Sequence, residues 1–383
     1  MAKVLLEIGL EEVPARFMPS ALKQLQTLAG DLLKEARISF GSIFTYGTPR
    51  RLALVIDDVV EKQADLVKEV KGPAKKAAFD GEGKPTKAIL GFAKGQKVAI
   101  EDLEVKTLGN VEYMYATVKE TGKETISILP IILTKLIASL HFPKPMRWGT
   151  ETMRFVRPIR WLVALHDDKV IGLEVAGVHS GRVTYGHRFL SKEPIRLASS
   201  EEYVSSLEKA YVIVDQNRRR HLIREQISTL AAKEGGQVDK DEKLLEEVTY
   251  LVEYPTALCG NFPERYLDLP EEVLITPMKE HQRYFPVWDK NNKLLPKFIT
   301  IHNGTEEYLD NVTAGNVKVL LARLADAEFF YQEDQKVPLV KKVEYLQKVV
   351  FQESLGTVYE KVKRIKQLAV YIAKKLAWEE TEV

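Results

Sequence analysis

The residues best suited to chemistry in this chain form a run of cations within FPKPMRWGTETMRFVRPIRW, from Phe142 to Trp161. One lysine and four arginines stand there against a single acid, and apolar and aromatic side chains alternate with them. Guanidinium groups bind phosphate bidentately and stack on flat rings, and aromatic rings stack on bases. The pattern therefore favours contact with a polynucleotide. The cations are Lys144, Arg147, Arg154, Arg157 and Arg160.

The same arginines have a second interpretation, because the chain enters an apolar run, WLVALH, directly after them. They could cap carbonyls or pair with acids at the edge of a buried strand. The residues alone leave both interpretations open. A similar pair, Arg50 and Arg51, precedes the apolar run LALVID, and we expect both to contact a nucleic-acid backbone as well.

A second polar group lies between Met278 and Phe285, in MKEHQRYF. Lysine suits phosphate, glutamine and arginine reach base edges, and tyrosine stacks on bases, so an RNA contact is one interpretation. The alternative is a helix end whose histidine is hydrogen-bonded in a core. The candidate residues are Lys279, His281, Gln282, Arg283 and Tyr284.

Other chemistry-bearing patterns are weak. Glu11 and Glu12 are adjacent, so on a strand they would point to opposite faces, and helix entry or ion pairing suits them better than acid–base work. Three histidines, at 187, 281 and 302, lack ligand spacing for a metal. The single cysteine, Cys259, has an apolar context typical of a buried, inert thiol. The sequence also lacks the phosphate-loop, dinucleotide, zinc-protease and serine-elbow motifs. We therefore expect no catalytic residue and no metal ligand.

Length and composition bound the elements that must position these groups. A chain of 383 residues predicts two or three domains, and a net charge of +2 means that any polyanion must be bound by local clusters. A single cysteine and the lack of a secretory signal indicate a cytoplasmic protein. We predict an α+β, multidomain fold with mixed sheets, packed helices and a helical insertion. The expected parts are an N-terminal α/β core (1–60 with 143–190), a helical basic insertion (61–142), an α+β subdomain (191–270), strands and a helix returning to the core (271–337), and a long helix (338–383).

Several strings in the chain resemble one known family. They include LLEIGLEEVPARF, TPRRLAL, FPKPMRWGTETMRFVRPIRWLVAL, YGHRFL, LPEEVLITPMKEHQRYFPV and AGNVKVLLARLADAEFFYQED, and they follow one another in order over nearly the whole chain. The family is that of the β subunits of bacterial heterotetrameric glycyl-tRNA synthetases. Pro277 departs from the pattern, because serine or threonine is common there, and it casts doubt on a helix running through Met278.

The resemblance implies an assembly of two α and two β subunits, without membrane attachment. The α subunit would carry the catalytic core and use ATP and magnesium, so no cofactor is expected on this chain. The β subunit would bind tRNA(Gly) and hold the α subunit, and the chain would be an N-terminal part lacking an HD-like region and an anticodon-binding domain. On this basis we expect the twelve cations and polar residues named above to contact the tRNA.

Two alternatives stay open at this point. In one, the chain is a scaffold for the α subunit and all tRNA contact lies in the missing C-terminal half. In the other, it is an editing-type hydrolase with a cleft lined by Glu12, His187 and His281. Editing is poorly motivated, since a pocket for glycine excludes larger amino acids by size.

Overall fold

The structure is a computed structural model that describes residues 1–378 of the chain. Its residues form two compact units, each with its own helices and strands, which confirms the predicted α+β multidomain class. The first unit comprises Met1–Leu230, Lys240–Ala257 and Ile301–Glu307, and the second comprises Ala231–Asp239, Leu258–Thr300 and the described residues from 308 onward.

The first unit is built around a sheet with the order β2-β3-β1-β7-β10-β9, in which β8 also pairs with β7. The strands of the whole first unit, which include those of two smaller sheets, are β1 (Ala2–Leu10), β2 (Ile43–Thr48), β3 (Arg51–Val59), β4 (Leu66–Ala74), β5 (Leu103–Leu108), β6 (Val111–Glu120), β7 (Ile159–His166), β8 (Lys169–Val170), β9 (Glu174–Val175), β10 (Val178–Gly181), β11 (Val183–Tyr185) and β12 (Pro194–Arg196). The helices that begin in it are α1 (Met18–Glu35), α2 (Lys75–Ala78), α3 (Lys87–Gln96), α4 (Thr125–Ala138), α5 (Tyr203–Lys209), α6 (Gln216–Lys233) and α7 (Glu242–Thr249).

Strand β1 is buried on both of its faces, which explains its nearly continuous apolar sequence. Successive side chains of a strand point to opposite faces. Val4, Leu6 and Ile8 therefore pack in one core with helices α1 and α4, while Leu5 packs in a second core on the other side. The sheet is thus the middle of three layers.

Gly9 occupies the one place in β1 where a side chain could not fit. In the sheet register it lies directly opposite Arg51 of β3 on one side and Trp161 of β7 on the other. A Cβ atom built on Gly9 would overlap the indole of Trp161. Glycine is therefore required here by the close approach of a neighbouring ring.

The insertion at 61–142 contains a sheet that the sequence interpretation did not include. Strands β4, β6 and β5 form a three-stranded antiparallel sheet in that order, and helices α2 and α3 cover one of its faces. Its small core includes Ala78, Ile89 and Met114. Alternation in VEYMYATVKE does indicate a strand, but frequent lysines and glycines around it obscured the pattern.

The segment after β12 packs on the central sheet, which differs from the separate subdomain predicted for 191–270. Tyr203, Leu207 and Val212 share a core with Leu5 and Trp161. The residues up to 230 and those at 240–257 accordingly belong to the first unit. The apolar face of this segment is complementary to the second face of the sheet, a relation that local sequence patterns do not specify.

The second unit has a core of its own, so the segment 271–337 does not join the N-terminal sheet as predicted. A three-stranded sheet with the order β13-β15-β14 is accompanied by two helices and a π-helical turn. Phe298, Leu320 and Leu324 are among its fully buried residues. The elements are β13 (Pro255–Asn261), α8 (Glu271–Thr276), the π turn (Pro277–Gln282), β14 (Phe285–Trp288), β15 (Leu294–Asn303) and α9 (Leu309–Gln335).

The long helix predicted over 338–383 is wrong in its first half. Residues from 339 form a short helix, a 3₁₀ turn and a β-hairpin before a helix resumes at Val358. The branched run at Val349 and Val350 favours a strand, and Gly356, which begins the second strand of the hairpin, has the left-handed backbone (φ +81°) that glycine adopts readily. The elements are α10 (Leu339–Lys342), the 3₁₀ turn (Val343–Lys348), β16 (Val350–Gln352), β17 (Gly356–Thr357) and α11 (Val358–Lys375). The part of the predicted helix that covers residues 379–383 lies outside the described residues.

The apolar segment from Thr125 forms helix α4, which is largely buried in the first core. Among residues 1–378, no helix combines the length and the apolar character needed to span a bilayer.

We predict that Gly9→Ala lowers the free energy of unfolding by about 1–3 kcal/mol, because the added methyl group must displace the Trp161 ring from a packed core. Urea unfolding followed by circular dichroism measures the change. The matched control is Gly91→Ala in helix α3, where a Cβ meets nothing within 4 Å and alanine should be neutral or stabilising. Equal effects at the two positions would contradict the proposed close approach.

Candidate nucleic-acid interface

A buried ion network is centred on Arg51, one of the arginines predicted to contact nucleic acid. Arg51 has 0% of its side chain exposed, and its Nε lies 3.1 Å from Glu7 Oε1 while an Nη atom lies 2.5 Å from Glu253 Oε1. The other Nη atom donates to the carbonyl of Tyr185 at 2.8 Å. Thr184 donates to Glu7 at 3.0 Å. One guanidinium thus ties β1, β11 and the residues after α7 to the start of β3.

Arg51 is therefore not available to a nucleic acid, and the prediction that it contacts tRNA is wrong. Burial by itself lowers the pKa of Arg51, but Glu253 and Glu7 raise it above its ordinary value, so the guanidinium stays charged. Burial raises the pKa of Glu7, and Arg51 opposes that rise. Breaking a buried pair leaves an uncompensated charge, so this network is structural.

Arg50, the preceding residue, has the opposite environment. It is half-buried, and its guanidinium lies 5.5 Å from the centroid of the Trp161 ring. Its Nε and one Nη atom are buried without a hydrogen-bond partner among the described residues. Burial lowers the pKa of Arg50, with Arg51 and Arg188 contributing in the same direction. These unpaired donors lie beneath the surface, although the residue as a whole is partly exposed.

Glu11 and Glu12 organise the arginines around Arg50. Glu11 accepts from Arg160 Nε at 2.7 Å and from an Nη atom of Arg188 at 2.9 Å, while Glu12 lies 3.3 Å from the other Nη atom of Arg188. Hydrogen bonds from Arg188 and then Arg160 lower the pKa of Glu11. The ion-pairing role expected for the two acids is what the structure shows.

Arg157 is held by carbonyls rather than by acids. Its Nε donates to the carbonyl of Glu12 at 3.0 Å, and an Nη atom donates to that of Val156 at 3.0 Å. It is half-buried, whereas Arg160 is exposed. We call Arg50, Arg157, Arg160 and Arg188 the arginine cluster; it has four cations for the two acids Glu11 and Glu12.

The other cations of the first candidate run project from a loop that leads into the cluster. Two backbone hydrogen bonds join Met146 and Phe155. The Met146 amide donates to the Phe155 carbonyl at 2.7 Å, and the Phe155 amide donates to the Met146 carbonyl at 3.1 Å. The Phe155 side chain is fully buried. Lys144, Arg147 and Arg154 are exposed, and among residues 1–378 none of them has an acid within ion-pair distance. We call residues 144–156 the basic loop. Its anchor is apolar, and its cations face solvent.

The second candidate run lies in the second unit, and its residues have mixed environments. Pro277 ends helix α8 and starts the π turn, consistent with the doubt that its missing donor raised. Lys279 lies 3.8 Å from Asp239. His281 is exposed, and Gln282 is half-buried. Arg283 has a left-handed backbone and donates to the carbonyl of Glu280.

Tyr284 is buried at 3% exposure, so the prediction that it stacks on a base is wrong. Its ring stacks on Phe298 with centroids 4.5 Å apart, and its hydroxyl donates to Asn316 Oδ1 at 2.7 Å. Burial raises its pKa to about 12. The aromatic residue that follows this polar run therefore anchors the run in the core of the second unit.

Two residues of the first unit escaped the sequence prediction. Arg188 completes the cluster, and Phe189, beside it, has 76% of its surface exposed. Both lie in the string GHRF, of which the sequence analysis considered only the histidine as a candidate. His187 is buried at 1% exposure, and its Nδ1 accepts the amides of Phe189 and Leu190 at 3.3 and 3.4 Å. His187 thus shapes the turn that presents Arg188 and Phe189, and it does not line an open hydrolytic cleft.

The remaining candidates give no metal centre in the part of the chain that is described. No group of three or more histidine, cysteine, aspartate or glutamate residues there has metal-binding geometry. Burial and then His187 lower the pKa of His302. Burial also raises the pKa of Cys259 to about 11, in keeping with an unreactive thiol.

The comparisons with known proteins point to one class. A family model described as "Glycyl-tRNA synthetase beta subunit" matches residues 4–383. The glycine–tRNA ligase beta subunit of Moorella thermoacetica is 53% identical over 373 residues, covering 97% of this chain and 54% of that protein. The one of Desulforamulus reducens is 55% identical over 383 residues, covering 100% and 55%. That of Clostridioides difficile is 52% identical over 369 residues, covering 96% and 54%.

These matches define the class: the proteins that this chain resembles are beta subunits of an aminoacyl-tRNA ligase. The chain belongs to the glycyl-tRNA synthetase beta subunit family, as its sequence strings had indicated. It spans about half the length of the curated relatives it matches.

We predict that Arg51→Met lowers the free energy of unfolding by about 3–5 kcal/mol, because it leaves the carboxylates of Glu7 and Glu253 buried without their cation. Urea titration of the folded chain measures this. The control is Arg147→Met, an exposed arginine for which the change should stay within about 0.5 kcal/mol. A loss below about 1 kcal/mol for Arg51→Met would show that the network does not hold the fold.

We predict that Cys259 reacts with iodoacetamide at pH 8 at least about 100-fold more slowly in the native chain than in urea. A thiol with a pKa of about 11 is about one part in a thousand thiolate at that pH, against roughly a quarter for a free cysteine. Mass spectrometry follows the alkylation. The native rate should rise about tenfold per pH unit between pH 7 and 9; a flat profile or similar rates in both conditions would contradict the raised pKa.

Proposed function

We propose that this chain supports the ATP-dependent attachment of glycine to tRNA(Gly) by binding the tRNA and by holding the α subunit of the ligase. The catalytic site, with ATP and magnesium, would lie on the α subunit, in an assembly of two α and two β subunits in the cytoplasm. Family membership supports the ligase setting, since the relatives are named as glycine–tRNA ligase beta subunits. A single, half-buried cysteine suits a reducing compartment.

The observation that carries the RNA-binding part is the basic surface formed by the arginine cluster and the basic loop. Seven cations lie there: Arg50, Arg157, Arg160 and Arg188 in the cluster, and Lys144, Arg147 and Arg154 in the loop. Their partners in the described chain are two glutamates and a few carbonyls. In a chain of net charge +2, a local group of seven cations with so few acids beside it is what backbone binding without a global field requires.

The acids in the cluster support this proposal because they fix the arginines in place. A guanidinium has five N–H donors, and Glu11 uses only one donor of Arg160 and one of Arg188. The remaining donors can bind phosphate oxygens from side chains that are already ordered, so less rotamer entropy is lost on binding. Phe189, exposed beside Arg188, offers a ring for stacking.

We predict that the double variant Arg147→Ala and Arg154→Ala reduces the slope of log affinity against log salt by about 1.5 for a tRNA(Gly) transcript. Each lost phosphate contact removes about 0.7–0.9 of slope. Filter binding of the 383-residue chain between about 50 and 200 mM salt measures it. The same variant should unfold at the wild-type urea concentration, since both side chains are exposed.

The matched control is the double variant Lys23→Ala and Lys34→Ala on helix α1, which removes two exposed cations outside the proposed surface. It should leave the slope unchanged. An equal loss in both variants would mean that the binding is diffuse. If the wild-type chain shows no salt-sensitive tRNA affinity while it still retains the α subunit in a pull-down, the scaffold alternative is correct and the proposed tRNA role of this half is wrong.

A further inference from the structure

The insertion carries a second surface with recognition chemistry. Its sheet β4-β6-β5 is covered on one face by α2 and α3, around a core that contains Met114 and Ala116 of the central strand β6. The alternate residues of β6, Tyr113 and Tyr115, point to the other face. That face is open to solvent within the described chain, where Val67 and Leu108 on it are 61% and 56% exposed.

The two tyrosines lie side by side on the middle strand of an open sheet. Residues two apart on one face of a strand are separated by about 7 Å. Sheets that bind single-stranded RNA use aromatic residues in this arrangement to stack two or three splayed bases. Both rings are half-buried by their neighbours, so each is held in place and has an accessible side.

Lysines from both flanking strands meet these rings. Lys71 of β4 lies opposite Tyr115 in register, and its Nζ is 3.5 Å from the centroid of the Tyr113 ring. Lys106 of β5 lies opposite Tyr113, and its Nζ is 5.8 Å from the Tyr115 centroid. Each ring is thus paired diagonally with an ammonium group. When a base stacks on the ring, it displaces the ammonium group, which then lies beside the phosphate of the same nucleotide.

The charges on the open face leave one lysine available to a phosphate. In sheet register this face carries three lysines, Lys71, Lys106 and Lys119, and two acids, Glu69 and Glu104. Lys106 is paired with both acids, while Lys71 has no ion pair among residues 1–378. An open face with two aromatic rings and an unpaired lysine beside them matches a stacking platform for nucleotides.

We propose that the open face of β4-β6-β5, centred on Tyr113 and Tyr115, binds unpaired nucleotides of RNA by stacking. This site rests on the proposed tRNA-binding function and adds a place for single-stranded segments, separate from the arginine surface that takes the backbone. Tyr113 and Tyr115 carry the stacking, and Lys71 supplies the nearest phosphate contact.

The test compares two double variants of the 383-residue chain. One carries Tyr113→Leu and Tyr115→Leu, and the other carries Tyr113→Phe and Tyr115→Phe. The probes are a fluorescent RNA of about eight unpaired nucleotides, within the known range of site sizes, and the duplex of the same sequence. Anisotropy should show about tenfold or greater loss of single-strand affinity for the leucine variant. The phenylalanine variant should bind within about twofold of wild type, and duplex affinity should not change.

Wild-type single-strand affinity in the leucine variant overturns the site. If that variant retains RNA affinity and loses the α subunit in a pull-down, the face is a protein contact and the proposal is wrong. Should the leucine variant fail to fold, photo-crosslinking of wild type with 4-thiouridine RNA decides: crosslinks must map to residues 113–115. If tRNA binding by the chain persists while these tests fail, only this site fails; if the chain binds no tRNA, the proposed function fails too.

Discussion

The close approach of Trp161 and Arg51 over Gly9 is the constraint on which the first unit depends. Gly9 has both residues as register neighbours, and its missing side chain leaves the space that the indole fills. The Arg51 guanidinium lies 5.7 Å from that ring and reaches Glu7 and Glu253 beneath it. Because a buried charge is stable only with its partners in place, four separate segments must assemble together.

This interior arrangement also determines the surface. Arg50 and Arg51 are adjacent, and both guanidinium groups lie near the Trp161 ring, 5.5 and 5.7 Å from its centroid. Arg51 is fully buried on its two acids, whereas Arg50 is partly exposed and has no ion pair within the described chain. Arg157 and Arg160 lie around the start of β7, so their positions are fixed by the pairing of this strand with β1. The arginine cluster is therefore a consequence of how the central sheet is packed.

The sequence predicted the fold class, the family and the arginine-rich segment, because these depend on periodicity, recognisable strings and composition. It could not tell Arg51 from Arg50, since burial of an arginine depends on acids that lie 44 and 202 residues away. The burial of Tyr284 was unpredictable for the same reason, because Asn316, which its hydroxyl contacts, is 32 residues distant in the chain. The hairpin at 350–357 was missed because a helical pattern on each side concealed a local signal for strand and turn.

The proposed tRNA-binding function requires a nearly neutral chain to place its acids where they do not repel the ligand. Glu11 meets this condition, because its two oxygens are occupied by Arg160 and Arg188 and its lowered pKa keeps it ionised with them. Four guanidinium groups close together would otherwise repel one another and spread apart. The acid thus lowers the net charge of the surface but fixes the direction of the donors, and for backbone recognition the fixed direction matters more than the lost charge.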